Sequence, residues 1–248
     1  MKNRAIIIIP ARYGSSRYRG KPLVKILGRE LVLRVADVCK KTVGSNNLYI
    51  ATDSKKISKV ALTAGYKVVM TSSKCLTGTD RVAEAAMKIK SDIYINVQGD
   101  EPTINPIDIK NVIKAKVKNS KYVVCGYDKV HKFEDATSIN LPKVVVNHSQ
   151  ELIYISRALV PSKKKGDQKV EYLKQVCIYA FNLDQLKKFH SRKKKSETEK
   201  IEDIEILRFF DLDVKIKMTR LHSNSVAVDV IEDVKKVEKL LKNEKKIY

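Results

Sequence analysis

The sequence predicts an α/β fold: a mostly parallel sheet with helices on both faces. Three observations carry this prediction. Four consecutive isoleucines, Ile6 to Ile9, read as a strand buried on both sides, as strands in parallel sheets are. Strand and helix patterns then alternate regularly as far as Val97. Glycine-containing polar loops follow the first and fourth of these strands, at the carboxyl edge where such sheets bind ligands.

Residues 4–9 form the first strand, which Pro10 is expected to end. The loop over 10–22 holds two glycines, two serines, three arginines and Lys21. Small residues let backbone N–H groups approach an anion closely, and the cations neutralise it, so the loop reads as a triphosphate cradle. It contains neither GxxxxGK[ST] nor GxGxxG. Its position after a buried strand therefore carries the reading, against the alternative of a solvated surface loop.

Leu31, Val35 and Val38 recur at helical spacing between Glu30 and Cys39. Leu48 to Ala51 is a strand ending at Thr52-Asp53. A helix from Lys55 to Ala64 stops at Gly65, a C-cap residue. Val68 to Met70 is a strand, Asp80 to Ile89 a helix, and Ile93 to Val97 the fourth strand. Beyond it the spacing predicts a helix from Pro106 to about Lys118 and a strand over Tyr122 to Cys125. Residues 143–147 and 151–155 read as a hairpin. Gln175 to Phe181 is a strand and Leu183 to about His190 a helix. Residues 191–200 read as a hydrophilic, mobile loop. Ile201, Ile204, Leu207 and Phe210 form a helical stripe. Strands over Val214 to Met218 and Val226 to Val228 precede a closing amphipathic helix from Ile231 to Leu241.

The chain has 248 residues, 43% of them apolar, enough for one domain over 1–248 with a sub-domain inside it. No apolar run approaches the ~20 residues of a membrane span, and Met1 leads almost directly into the first strand, which leaves no room for a signal peptide. A cytoplasmic protein is expected. Cys39, Cys75, Cys125 and Cys177 are widely spaced and form no CxxC pair, which argues against a zinc site or a disulfide framework. The net charge of +22 has two readings, a nucleic-acid surface or lysine-rich solvated faces. The lysines are dispersed and only 6% of residues are aromatic, with none interleaved in the basic runs, so no stacking platform exists and nucleic acid is disfavoured.

Asp100, in Gln98-Gly99-Asp100-Glu101-Pro102, and Asp229, after Val226-Ala227-Val228, both follow expected strands. Magnesium takes one or two carboxylates together with substrate phosphates and water, so the pair suits a metal-bound nucleoside triphosphate. Each also reads as a helix N-cap. Thr77-Gly78-Thr79-Asp80-Arg81 reads either as a capped turn with Arg81 on the surface or as a wall of the nucleotide pocket. Arg157, after the strand Leu152 to Ile155, is placed to clamp a carboxylate bidentately.

Taken together, these motifs resemble the 3-deoxy-manno-octulosonate (Kdo) cytidylyltransferase family. The matching pieces are Ile9-Pro10-Ala11-Arg12-Tyr13-Gly14-Ser15-Ser16-Arg17 with Gly20-Lys21-Pro22-Leu23, Ala51-Thr52-Asp53, Gly78 to Glu84, Asn96 to Pro102, Ile155 to Ala158, Ile178 to Phe181, Ile204 to Arg208 and Val228-Asp229. They stand in the family's order across nearly the whole chain. The resemblance implies a Rossmann-like nucleotidyltransferase fold with a mixed, mostly parallel sheet. It also implies a smaller β-rich dimerisation sub-domain over about 130–182, a homodimer, and magnesium-dependent joining of CTP to a 2-keto sugar acid with release of pyrophosphate. By the same resemblance Arg12, Ser15 and Lys21 hold the CTP phosphates, with Ala11 and Gly14 in the same loop. Thr79 and Arg81 approach the nucleotide, Asp100 and Asp229 ligate Mg²⁺, and Gln98, Arg157, Gln175, Tyr179 and Glu205 belong to the sugar-acid side.

Three departures stand out. Gln175 replaces a usual His and Ile206 a usual Gln, while Tyr18-Arg19 replaces an apolar-Pro pair. An Ile in place of Gln removes both a donor and an acceptor, so the acceptor side is expected to be altered. Kdo is the first expectation; 8-amino-Kdo, a nonulosonate and a phosphonate are alternatives. A non-catalytic nucleotide- or nucleic-acid-binding protein is the reading from a different class, and it leaves the joint presence of Arg12, Lys21, Asp100 and Asp229 without a purpose.

Overall fold

The computed structural model describes residues 4–14, 18–166, 168–223 and 225–244. In chain order its strands are β1 (Ala5–Ala11), β2 (Lys25–Ile26), β3 (Arg29–Glu30), β4 (Leu48–Thr52), β5 (Lys67–Met70), β6 (Ile93–Val97), β7 (Val123–Lys129), β8 (Lys143–Val146), β9 (Leu152–Ser156), β10 (Leu173–Phe181) and β11 (Ile216–Arg220). The helices are α1 (Leu31–Val43), α2 (Lys55–Thr63), α3 (Gly78–Ala86), α4 (Pro106–Lys118), α5 (Leu183–Ser191), α6 (Glu197–Glu202) and α7 (Ile231–Glu244). Two functional segments are 3₁₀ turns, Lys21–Leu23 and Glu205–Leu212.

The main sheet runs in the order β11-β7-β10-β6-β1-β4-β5. Every strand on this path points the same way except β10, which is antiparallel to both β6 and β7. The β8–β9 hairpin joins the flank of β10 through the pair Lys174↔Lys143. Of the 130–182 segment, then, β8 and β9 project as a hairpin while β10 runs inside the main sheet.

β1 shows why the four isoleucines are tolerated. Alternate side chains of a strand point to opposite faces, and all four are fully buried. Ile6 and Ile8 join one apolar cluster with Tyr94, Phe181 and Phe209, while Ile7 and Ile9 join another with Val35, Ile57 and Ile109. At about 1.5–3 kcal/mol for each fully buried side chain, this strand anchors both layers.

Pro10 does not end β1, contrary to the sequence expectation: the strand continues to Ala11, with Pro10 opposite Ala51. The β1–β6 ladder stops at Ile8↔Asn96, and the Pro10 carbonyl faces Gly99 on that same side. The N–H that proline lacks therefore faces a place where no ladder bond is required.

Three further expectations are corrected. Ile201 to Phe210 is not one helix, because Asp203 adopts the left-handed region (φ 48°), ends α6 and re-aims the chain into the 3₁₀ run. Ile201 is consequently 82% exposed while Ile206 and Phe209 are buried. The hydrophilic 191–200 loop contains the first turn of α6, set by a capping box between Ser196 and Glu199. Val226 to Val228 pairs with no strand; its backbone instead bonds to the Thr103 hydroxyl and the Asp100 carbonyl. The remaining elements match their expected positions within a few residues at each end, except that the β7 and β11 segments sit further along the chain.

Gly99 sits where β6 leaves the sheet beside β1. A Cβ there would stand 2.9 Å from the Pro10 carbonyl oxygen and 3.3 Å from Ile9. Gly99→Ala is expected to push the 98–102 loop off β1, lowering the melting temperature by several degrees and reducing turnover. Thermal unfolding and initial rates measured on the one variant check both.

Candidate active site

Most of the candidate site residues lie at or beside the carboxyl edge of β1 and β6. β1 ends at Ala11, which is buried, and delivers Arg12, which is exposed, into the cradle loop. Gly14 is exposed with open space around it, and Ser15 lies outside the described residues. Gly20 closes the loop: its N–H donates to the Tyr13 carbonyl at 2.8 Å, and its φ of 76° is one that glycine adopts without strain. The next residue, Lys21, opens a 3₁₀ turn fixed by buried Pro22. Arg19 stacks over the Tyr13 ring from outside.

Lys21 reaches across to the end of β6. Its ammonium donates to Asp100 Oδ2 at 2.6 Å and lies 3.5 Å from Asp229 Oδ1. Asp100 is not a helix cap, since α4 starts at Pro106 and is capped by Asn105. Asp229 arrives from the far end of the chain. Val228 N–H bonds the Asp100 carbonyl at 2.9 Å, and Val228 and Val237 pack with Ile26 and Leu31 beneath. Glu238 of α7 accepts from the Leu27 N–H. These contacts bring the two aspartates to one cation. Two carboxylates are hard oxygen donors of the kind Mg²⁺ takes with substrate oxygens and water. Among the described residues no group of three or more His, Cys, Asp or Glu is placed to hold a metal.

A polar seam runs beside this cation site. Glu205 Oε2 accepts from the Thr79 N–H at 2.9 Å, and Oε1 accepts from Gln98 Nε2 at 3.0 Å. Asn96 Nδ2 donates to Thr79 Oγ1 at 3.2 Å, and its Oδ1 is buried without a hydrogen-bond partner. Asn96 lies opposite Tyr179 in the β6–β10 ladder, and the Tyr179 hydroxyl accepts from Gln175 Nε2 at 3.0 Å. Burial pushes the Glu205 pKa up and holds the Tyr179 hydroxyl protonated well above its ordinary range. Gly78 leaves room for Gln98, since a Cβ there would stand 3.2 Å from Gln98 Oε1.

Three sequence expectations look different in this geometry. Arg81 is not on the surface: it is 3% exposed, bonds the Thr71 hydroxyl and faces Asp53 at 3.5 Å. The Arg157 guanidinium is committed to the backbone carbonyls of Glu202, Ile139 and Asp203, so its donors serve the hairpin flank here rather than a bidentate carboxylate clamp. Ile206 is buried in the apolar cluster with Tyr179 and Phe181, so the residue that stands where a Gln was usual packs against the core.

Two residues stand in the matching segments without a role assigned from sequence. Asn96 lies inside an apolar strand, and its polar identity in a buried position was the available signal. Arg208 is fully buried, with forked bonds to Asp80 (2.8 and 3.1 Å) and Glu199 (2.7 and 2.7 Å), and it stacks on the Phe189 ring. It ties the first turn of α3, which carries Thr79, to α6 and the 3₁₀ run, which carries Glu205. Its pattern signal was weak, because Asp80 is 128 residues away and Glu199, nine residues away, lies in a different helix.

This arrangement defines a nucleotidyltransferase-type α/β protein: a cradle loop after β1, a carboxylate pair around a lysine, and a polar pocket along β6 and β10. The chain belongs to the cytidylyltransferase family, whose model matches residues 6–219. It is 34% identical over 242 residues to the 3-deoxy-manno-octulosonate cytidylyltransferase of Escherichia coli, covering 98% of both chains. It is 35% identical to the mitochondrial enzyme of that name from Arabidopsis thaliana, covering 97% of this chain and 84% of that one. A solved structure of CMP:2-keto-3-deoxy-manno-octonic acid synthetase complexed with CTP superposes with a TM-score of 0.89 at 34% identity, covering 97% of this chain and 99% of that one. The inositol-1-phosphate CTP transferase from T. maritima shares the fold alone, with a TM-score of 0.68 at 18% identity over 97% of this chain and 95% of that one.

Two outcomes test the electrostatics. Arg208→Ala leaves Asp80 and Glu199 buried without their partner and is expected to destabilise the fold by about 3–5 kcal/mol, read by denaturant unfolding. Burial, and then the charge of Asp100, raise the Glu101 pKa from 4.5 to about 7. The folded chain thus holds this proton where the unfolded chain has released it, so the contribution of Glu101 to stability is fullest below pH 4.5 and declines as the pH rises through 7. Glu101→Gln is expected to flatten the stability–pH curve across that window, measured by urea midpoints at successive pH values.

Proposed function

We propose that this chain transfers CMP from CTP to the anomeric hydroxyl of Kdo, releasing pyrophosphate. The observation that carries the reading is the meeting of Lys21, Asp100 and Asp229 beside the cradle loop. The activity for which relatives matching nearly the whole chain are named supports it.

In this reading Arg12 and Lys21 neutralise the triphosphate, and the cradle orients its α-phosphorus. Thr79 and Arg81 belong to the nucleotide side, Arg81 as a buried support held by Thr71 and Asp53. Gln98, whose amide is fixed by Glu205, and the Gln175–Tyr179 pair supply polar groups for the sugar acid. The anomeric hydroxyl attacks the α-phosphorus in line and gives its proton to solvent, while the bond to the bridging oxygen breaks and its electron pair leaves with pyrophosphate. Asp100 and Asp229 would hold Mg²⁺. When bound, the ion supplies positive charge against the phosphate oxygens and the departing pyrophosphate. A cytoplasmic homodimer completes the proposal. The exposed apolar residues Ile139 and Ile153, near or on the β8–β9 hairpin, support a protein contact there. No helix among the described residues is long and apolar enough to cross a membrane.

The test is pyrophosphate release with CTP, Mg²⁺ and a panel of Kdo, 8-amino-Kdo, a sialic acid and a simple phosphonate. Release with Kdo is expected. Asp100→Ala should lower it by roughly 10²–10³-fold or more while circular dichroism and melting stay unchanged. Release with another acceptor alone would move the substrate and keep the chemistry; undiminished activity of Asp100→Ala would remove the aspartate from the mechanism.

A further inference from the structure

The two carboxylates that would hold a divalent ion already share an internal cation. The Lys21 side chain is 13% exposed, against 28% for Asp100 and 37% for Asp229, so the ammonium approaches from the protein side and the carboxylates are reached from solvent. The main chain at Lys21 is fixed: Leu23 N–H bonds Gly20 O at 2.9 Å, Val24 N–H bonds Lys21 O at 3.1 Å, and Pro22 is buried. Only the four-carbon stem of Lys21 is free to relocate its charge. An ammonium and a hydrated divalent ion on the same oxygens repel one another, so each weakens the binding of the other. A bound triphosphate would offer the ammonium a different anion.

We propose that Lys21 competes with the divalent ion for the Asp100–Asp229 pair and surrenders it when a triphosphate draws the ammonium away. Metal and nucleotide then bind cooperatively, and by linkage each raises the affinity of the other by the same factor. The proposal rests on the assignment of the metal to these two aspartates.

Equilibrium dialysis against Mn²⁺, which takes the oxygen-rich ligand sets that suit Mg²⁺, tests it on the full chain without nucleotide and then with CTP. Without nucleotide, Lys21→Met and Lys21→Gln are expected to bind Mn²⁺ about tenfold tighter than the unsubstituted chain, a change of about 1.4 kcal/mol. Lys25→Met, which removes one exposed charge nearby, should stay within about twofold of it. Adding CTP should tighten Mn²⁺ retention strongly in the unsubstituted chain and much less in the Lys21 variants. Melting curves check that the variants are folded. Lys21 variants that bind Mn²⁺ no tighter, or a gain at Lys25→Met equal to theirs, would overturn the proposal. If the unsubstituted chain retains Mn²⁺ with CTP and Asp100→Asn does not, the metal assignment stands whichever way the Lys21 comparison falls. Equal retention by Asp100→Asn would remove that assignment and the competition with it.

Discussion

Two like charges from distant parts of the chain meet at one lysine, and much of the structure serves to hold them there. Asp100 and Asp229 would separate in water, because bringing two carboxylates together is unfavourable without a cation between them. Here the Lys21 ammonium supplies that cation. The adjacency of β1 and β6 brings the loops after the two strands side by side. Gly99 lets them touch, and the Val228–Asp100 backbone bond draws in the C-terminal segment. The packing of α7 on Ile26 and Leu31 then keeps it in place.

The polar seam beside this site is built on a different rule. Buried polar groups must be hydrogen-bonded, and in a low-dielectric interior a satisfied network fixes its members. Glu205 has donors on both oxygens, so it acts through Gln98 and Thr79 and orients them. Arg208 holds the two segments that carry this network. Such a buried ion triad adds little net stability over an apolar core, yet it is costly to break, and this suits a group whose task is to keep Thr79 and Glu205 in register.

The large positive charge has a general electrostatic consequence. A net charge of this sign attracts polyanions and raises encounter rates at low ionic strength. The lysines are dispersed over the chain.

The order of elements was legible in the sequence because buried strands and amphipathic helices repeat with fixed periods, and β6 and α4 lay where the pattern put them. The cradle loop and the Gln-Gly-Asp-Glu-Pro segment were legible because their residue types are unusual after a strand. Local pattern was insufficient in three places. Pro10 continues a strand because its missing N–H faces a finished ladder. Asp203 breaks a helical stripe by turning left-handed. Val226 to Val228 looks like a strand but bonds to a loop. Residue pattern was enough for the α/β class and for placing a glycine-, serine- and arginine-containing loop after β1 and Asp100 after β6. Tertiary structure alone decided that Lys21 stands between Asp100 and Asp229, that Arg81 and Arg157 are committed to neighbouring groups, and that Ile206 faces the core. A side chain's partners depend on which distant segments pack against it, and neither periodicity nor spacing encodes that.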